Sequence, residues 1–344
     1  MPTVLYVGTD EGVVTINGNG SWEAERPALA SWEVCGVAVQ PSHPSVVFAA
    51  TRGDGVWRSD DAGKSWKKPS YGRRGPGKVR CVTLDPNDER TLYAGAEPID
   101  VFVSHDAGAS WECLDSVWNE PFIGTITYPV AVVEPHVRDI AVDPSNPKVM
   151  YVALQVGFML KTTDGGATWK LLNKQLDADV HTVRLNPRDP RNILIATGGH
   201  DYRLGTAPGK ALYRSEDGGE SWQPTGASFA QEYSVPLEID PKNPHVAFAG
   251  LANGTPNAWR RPTGAEGAIV RTTDGGETWQ EVATDVPDRS QRMAIGIAID
   301  PIQPSNVYAA LHDGHLLASH DGGDSWTQLE VRTPRPNGLK CARL

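Results

Sequence analysis

The stretch SEDGGESW, residues 215–222, decides the fold. It follows the pattern Ser/Thr-x-Asp-x-Gly-x-Ser/Thr-Trp. The same pattern returns as SDDAGKSW (59–66), SHDAGASW (104–111), TTDGGATW (162–169), TTDGGETW (272–279) and SHDGGDSW (319–326). A worn copy, TINGNGSW, stands at 15–22, with Asn17 for the aspartate and Asn19 for the glycine. The closing tryptophans are Trp22, Trp66, Trp111, Trp169, Trp222, Trp279 and Trp326, spaced by 44, 45, 58, 53, 57 and 47 residues. Recurrence at this period marks a solenoid, a propeller or an array. The octapeptide itself reads as a turn. A short aspartate accepts N–H bonds from the residues after it, the glycine supplies a positive φ, and the tryptophan opens the next strand and buries its ring between sheets. Its aspartates are therefore expected to be structural rather than catalytic.

Working outward, a second repeat precedes each octapeptide: VAVQPSHP, IAVDPSNP, VRLNPRDP, LEIDPKNP and IAIDPIQP, with VTLDPNDE at 82–89 lacking the second proline. Each copy ends one strand and turns the chain into a β-rich run such as VVFAAT, VMYVAL or NVYAAL. A third strand leads into the octapeptide and a fourth leaves from its tryptophan. Four antiparallel strands in about 50 residues build a propeller blade. The chain opens at a second-strand sequence, TVLYVGT, so blade 1 lacks an inner strand. Lys340–Leu344 resemble inner strands and are expected to supply it, closing the ring and removing an open edge. The expectation is an all-β, seven-bladed propeller forming one domain over residues 1–344.

Composition fits this reading. Glycine (35) and proline (27) suit many tight turns, and the repeat accounts for most of the 11 tryptophans. The formal net charge of −10 argues against nucleic acid as a partner. The four cysteines, Cys35, Cys81, Cys113 and Cys341, follow no zinc or disulfide spacing and read as buried thiols. There is no charged, apolar leader and no run near the roughly 18 apolar residues of a membrane span. The expectation is a soluble protein without membrane partners and, for a complete chain, a cytoplasmic one.

The octapeptides resemble the Asp-box, or BNR, repeats of sialidase-like propeller proteins, and the resemblance covers essentially the whole chain. It is specific for fold rather than function. Such repeats occur in sialidases, xyloglucan-cleaving glycosidases, sortilin-type receptors and photosystem II assembly factors. Sialidases have six blades and an early Arg-Ile-Pro motif. That motif is missing here, its nearest look-alike being Arg260-Arg261-Pro262, so sialidase activity is not expected. Xyloglucan glycosidases resemble two propellers facing each other across a cleft, and sortilin-type receptors have ten blades. The photosystem factors match in size and blade count but carry a targeting segment.

Chain direction places the octapeptide and Asp-Pro turns on one face. Loops between second and third strands, and between blades, lie on the other, where propeller ligands gather around the channel. That face holds the long segments 112–138, 198–211 and 252–268, and long loops on a rigid scaffold commonly carry function. Two residues before the apolar core of each inner strand stand Cys35, Arg80, Arg138, His181, Val235, Ile295 and Lys340. The middle of the strand holds Ala38, Thr83, Ala141, Arg184, Glu238, Ala298 and Arg343, with Asp139 just before one core. Charges there are costly unless paired or wet. Either they brace the blades, or Arg80, Arg138, His181 and Lys340 form an anion-binding mouth, since arginine forks suit carboxylate or phosphate. Trp118, Tyr128, His200, Tyr202 and Trp259 are the added ligand contacts.

Two functions follow. One is a propeller that binds a small anionic molecule, a carbohydrate or a peptide segment, without a cofactor. The alternative is a glycoside hydrolase or lyase using Asp139 and Glu238, with Glu134, Asp201 and Asp313 in reserve. A working carboxylate pair would stand roughly 5–9.5 Å apart across a cleft. A third is a purely structural interaction module. His136, His181, His200, His312 and His315 map to the working face but follow no metal-ligand spacing, so no metal is assigned.

Overall fold

The octapeptide forms the turn that its residue types require. In the copy at 59–66, Ser59 Oγ donates to Asp61 Oδ1 (2.8 Å) and Gly63 N–H donates to Ser59 Oγ (2.8 Å). Ser65 then donates to the same carboxylate through N–H (2.8 Å) and Oγ (2.6 Å). The pattern recurs around Asp106, Asp164, Asp217, Asp274 and Asp321. The turn needs two successive left-handed residues rather than one. Gly218 and Gly219 have φ of 74° and 86°, while Ala62 and Ala107 hold the first of these positions at 62° and 59°.

The computed structural model describes residues 1–18, 20–68, 75–127, 134–283, 286–288 and 291–344. Seven antiparallel sheets form the blades, six with four strands. Blade 2 has three (Val34–Val39, Val47–Thr51 and Gly55–Ser59), and its fourth is reduced to a bridge between Arg58 and Lys67. Blade 1 departs from the repeat. Its second strand of the chain runs on to Gly18, which pairs with Trp22, and Asn17 Nδ2 donates to Glu25 Oε1 (2.9 Å) instead of the aspartate building the turn. The worn octapeptide is thus a different hairpin, and its Asn19 lies outside the described residues.

The inner strands of blades 2 to 7 are Val34–Val39, Val79–Asp85, Val137–Val142, Val180–Leu185, Tyr233–Ile239 and Ala294–Ile299. Pro336–Arg343 completes blade 1 by pairing antiparallel to Thr3–Thr9, closing the ring. Arg343 Nε donates to Asp300 Oδ2 (2.7 Å) of blade 7, and Leu344 N–H to Pro2 O (3.1 Å), so the two ends of the chain are tied together.

Each blade packs on the next through its own apolar cluster. Phe48 and Ala38 of blade 2 meet Val82, Leu92 and Trp111 of blade 3, and Tyr151 of blade 4 meets Val183, Ile195 and Trp222 of blade 5. Stacking of half-buried sheets is what makes a ring of blades stable. All four cysteines are free, with Cys81 buried and the other three half-buried.

Candidate functional site

The seven inner strands line an axial channel of about 2060 Å³. Each carries a β-bulge near its upper end. In blade 4, Val137 pairs with Leu154 and Asp139 with Ala153, leaving Arg138 unopposed. The same skip leaves out Cys35, Arg80, His181, Ile295 and, in blade 1, Asn337; in blade 6 it spans Val235 and Pro236. A bulge re-aims its side chain and is common next to functional sites. The column of residues picked out in the sequence is therefore this bulge, with one correction. Lys340 pairs with Tyr6 as Ala141 pairs with Tyr151. It belongs at mid-depth with Arg184 and Glu238, and Asn337 takes its place at the mouth. Arg343 in turn lies lower, opposite Thr3.

At mid-depth four charges lock together. Arg184 Nη1 donates to Asp139 Oδ2 (2.5 Å), and its Nε and Nη2 form a fork onto Glu238 (both 3.1 Å). Lys340 Nζ reaches Glu238 Oε1 (2.8 Å) from two blades away. Asp139 also accepts the N–H groups of Ile140 (3.0 Å) and Val183 (3.1 Å). Burial alone would raise the Glu238 carboxyl, but Arg184 and Lys340 outweigh it and hold it at about 2. Both carboxylates of the expected catalytic pair are thus held on one guanidinium, which suits bracing.

At the mouth the expected cations divide. Arg80 is paired: its Nε lies 3.5 Å from Glu97 Oε2, a carboxylate shared with Arg52, and its Nη2 donates to His136 Nε2 (2.9 Å). His136 donates from Nδ1 to Glu134 O (2.9 Å). Burial, then Arg80 and Arg138, press its imidazole down to about 2, so it is neutral. His181 is buried, with Nδ1 on Ser234 O (2.7 Å) and Nε2 3.3 Å from Asp179. Arg138 is different. Its half-buried side chain lines the channel and makes no hydrogen bond or ion pair with any described residue. Arg260 and Arg335, which are exposed and line the opening from blades 6 and 1, likewise have no side-chain hydrogen bond or ion pair with any described residue. Sequence reasoning noted Arg260 only within a long loop and in the Arg260-Arg261-Pro262 look-alike, and missed Arg335. Both lie outside the repeat, so no column could reveal them.

The aromatic contacts are less available than expected. Tyr233 and Trp259 are each only 7% exposed, and the rings of His181, Tyr233, Trp259 and His312 meet edge-on in a row at centroid distances of 5.0, 5.5 and 5.5 Å. This row walls the mouth but offers no free ring face. Trp118 (50% exposed) bonds Asp100 (2.8 Å) away from the channel. His200 and Tyr202 sit on a short helix, His200–Leu204, whose N–H groups at both residues bond Asp177. Tyr128 lies outside the described residues. The reserve carboxylates are engaged as well: Glu134 with Lys78, Asp201 with His200 and Asp313 with Arg292 and His315. His312 accepts Met293 N–H at Nδ1 (3.1 Å). Among the described residues no three His, Cys, Asp or Glu side chains converge as a metal site would require.

Fold and site define a seven-bladed propeller with a charge-braced channel opening at an arginine-lined mouth. Its likenesses are to propellers of two kinds, with a third at the level of the repeat. The family model described as Sortilin, neurotensin receptor 3, matches residues 99–234. The photosystem II assembly lipoprotein Ycf48 of Synechococcus sp. (strain CC9902) is 27% identical over 218 residues, covering 55% of this chain and 61% of that protein. The xyloglucanase Xgh74A of Acetivibrio thermocellus (strain ATCC 27405) is 26% identical over 345 residues, covering 82% of this chain and 38% of the enzyme. The chain thus spans less than two thirds of either relative. Among solved structures, the Niastella koreensis GH74 enzyme has a TM-score of 0.63 at 17% identity, over 86% of this chain and 45% of that one. Ycf48 bound to D1 peptide has a TM-score of 0.58 at 15% identity, over 92% and 86%. At these identities the structures speak for the fold alone.

Proposed function

We propose that this protein is a partner-binding propeller that takes an anionic group of its ligand into the upper mouth of the channel. The observation that carries the reading is that Arg138, Arg260 and Arg335 line one opening without a partner among the described residues, while Arg184, Arg80 and Arg343 are all paired. Guanidinium groups left with free donors are suited to carboxylate or phosphate. A relative bound to a peptide supports a peptide as the ligand class. The xyloglucanase likeness keeps hydrolysis as a second reading, but its expected pair, Asp139 and Glu238, is held on Arg184.

The test is fluorescence anisotropy with labelled hexaglutamate, with hexalysine as control. Hexaglutamate is expected to bind and hexalysine not. Charge-assisted bonds are worth about 1.5–3 kcal/mol each, so replacing Arg138, Arg260 and Arg335 by alanine should weaken binding well over tenfold with the melting temperature nearly unchanged. Equal binding by the triple variant sinks the proposal. Release of sugars from xyloglucan by the wild type, lost in Glu238→Gln, would establish the second reading instead.

A further inference from the structure

Beside the mouth lies a second, smaller pocket of about 320 Å³ between blades 4 and 5, lined by Phe122, Ile126, Val156, Phe158, His200 and Asp201. Its volume falls in the range of pockets that hold a small group. Two of its walls are strained: Val156 and Phe158 hold φ of 53° and 61°. A β-branched residue resists this region, and such strain is kept where a fold fixes a loop for use. The Phe122 and Phe158 rings lie 6.0 Å apart at 47°, giving an apolar floor, with the His200–Asp201 pair at 3.0 Å as its polar side.

This pocket and the mouth share one wall. Ala178 faces the pocket and donates its N–H to Asp201 Oδ2 (3.2 Å). The next residue, Asp179, is buried, accepting Gln155 Nε2 (2.7 Å) and standing 3.3 Å from His181, which lines the channel. Gln155 in turn precedes Val156 on the pocket side and donates its N–H to His136 O (2.9 Å). One layer of residues therefore divides an apolar pocket from the arginine-lined opening.

We infer that the partner is an extended peptide segment that puts an acidic side chain at Arg138 and a bulky apolar side chain, from about two residues away, into the Phe122–Phe158 pocket. In an extended chain, residues two apart face the same way about 7 Å apart, which suits two sites separated by one wall. Charge selects the acidic group, and among the described residues the mouth's rings, Tyr233 and Trp259, are only 7% exposed, which disfavours a sugar ring that would need a free face to stack on. This rests on the function proposed above and adds the second half of the ligand.

The test is selection of displayed random decapeptides on the full-length protein, followed by anisotropy with the peptides recovered. Enriched sequences are expected to pair Asp or Glu with Phe, Trp, Leu or Met about two positions away. Changing either residue of a recovered peptide to serine should weaken binding about tenfold. Arg138→Ala should abolish the preference for the acidic residue and keep that for the apolar one; Phe122→Ser should do the reverse, and Thr125→Trp, which crowds the pocket rim, should match Phe122→Ser. Enrichment of acids alone, with hexaglutamate binding still dependent on the arginines, overturns this inference and leaves the anionic mouth standing. No enrichment together with no hexaglutamate binding overturns both. Displacement of a recovered peptide by xyloglucan oligosaccharides would assign the pocket to carbohydrate and overturn it as well.

Discussion

Ala62 and Ala107 occupy a left-handed position that four sister turns fill with Gly165, Gly218, Gly275 and Gly322. An L-residue there costs roughly 1–2 kcal/mol, and part of a glycine's gain is returned as unfolded-state entropy. Ala62→Gly and Ala107→Gly should therefore each stabilise the protein, by less than about 1 kcal/mol. Ala109→Gly, at a turn position without positive φ, should destabilise it. Calorimetry that shows Ala62→Gly melting below wild type would sink the argument. The turn aspartates give a second test. The hydroxyl and N–H of Thr168 hold Asp164 at about 2, and those of Ser65 do the same for Asp61, against an ordinary 3.8. A carboxyl lowered on folding contributes stability that is complete above its unfolded value and is lost as pH falls toward its folded one. The melting temperature should hold down to about pH 4 and then fall toward pH 2; a flat profile across that window would show that the turns contribute nothing. The residue types of the octapeptide made this geometry legible in advance, except for the first of the two left-handed residues, because alanine at that position carries no signature of its own.

Among the elements, the inner strands carry the bracing. Arg184 neutralises Asp139 and Glu238, each less than one fifth exposed. Removing one partner of such a network leaves the others partly buried without compensation, typically at 3–5 kcal/mol when fully dry and less where a wet channel screens them. Arg184→Met is expected to cost about 2–3 kcal/mol in urea unfolding, and Arg184→Met combined with Asp139→Asn and Glu238→Gln should recover part of that. A single-variant cost below about 0.5 kcal/mol would mean that channel water carries these charges. The strands themselves were legible from their period and from the Asp-Pro turns. The register of the closing strand was not, because GLKCARL fits the apolar-x-apolar pattern both at Leu339–Cys341 and further on. Only pairing to Thr3–Thr9 selects the first and moves Lys340 from the mouth to the brace. The bulge that defines the mouth column has no residue signature either, since Cys35, Arg80, Ile295 and Asn337 all occupy it.

Over the whole molecule, a net charge of −10 conceals how the charges are sorted. Composition excludes a broadly basic surface, but it cannot say that, among the described residues, Arg138, Arg260 and Arg335 from blades 4, 6 and 1 make no ion pair at one opening while Arg80, Arg184 and Arg343 are tied to acids. That sorting exists only once the ring has closed, and it yields a prediction that separates near from far fields. An anionic ligand is repelled by the molecule as a whole and attracted by the mouth. The Debye length is about 30 Å at 0.01 M salt and about 10 Å at 0.1 M. At low salt hexaglutamate should feel the summed negative charge; near 0.1 M that repulsion is screened while the arginines, at contact, still act. Toward 1 M, where the length is about 3 Å, the contact attraction weakens in its turn. Affinity should therefore pass through a maximum at intermediate salt, unlike the steady decline of a ligand held by a uniformly basic surface. Replacing Arg138, Arg260 and Arg335 by glutamine takes the net charge from −10 to −13, three positive charges fewer, and should remove the maximum along with the binding. A decline from the lowest salt upward would show that the mouth's field already exceeds that of the whole molecule; a steady rise would show that the mouth attracts nothing, and the proposed site would fall with it.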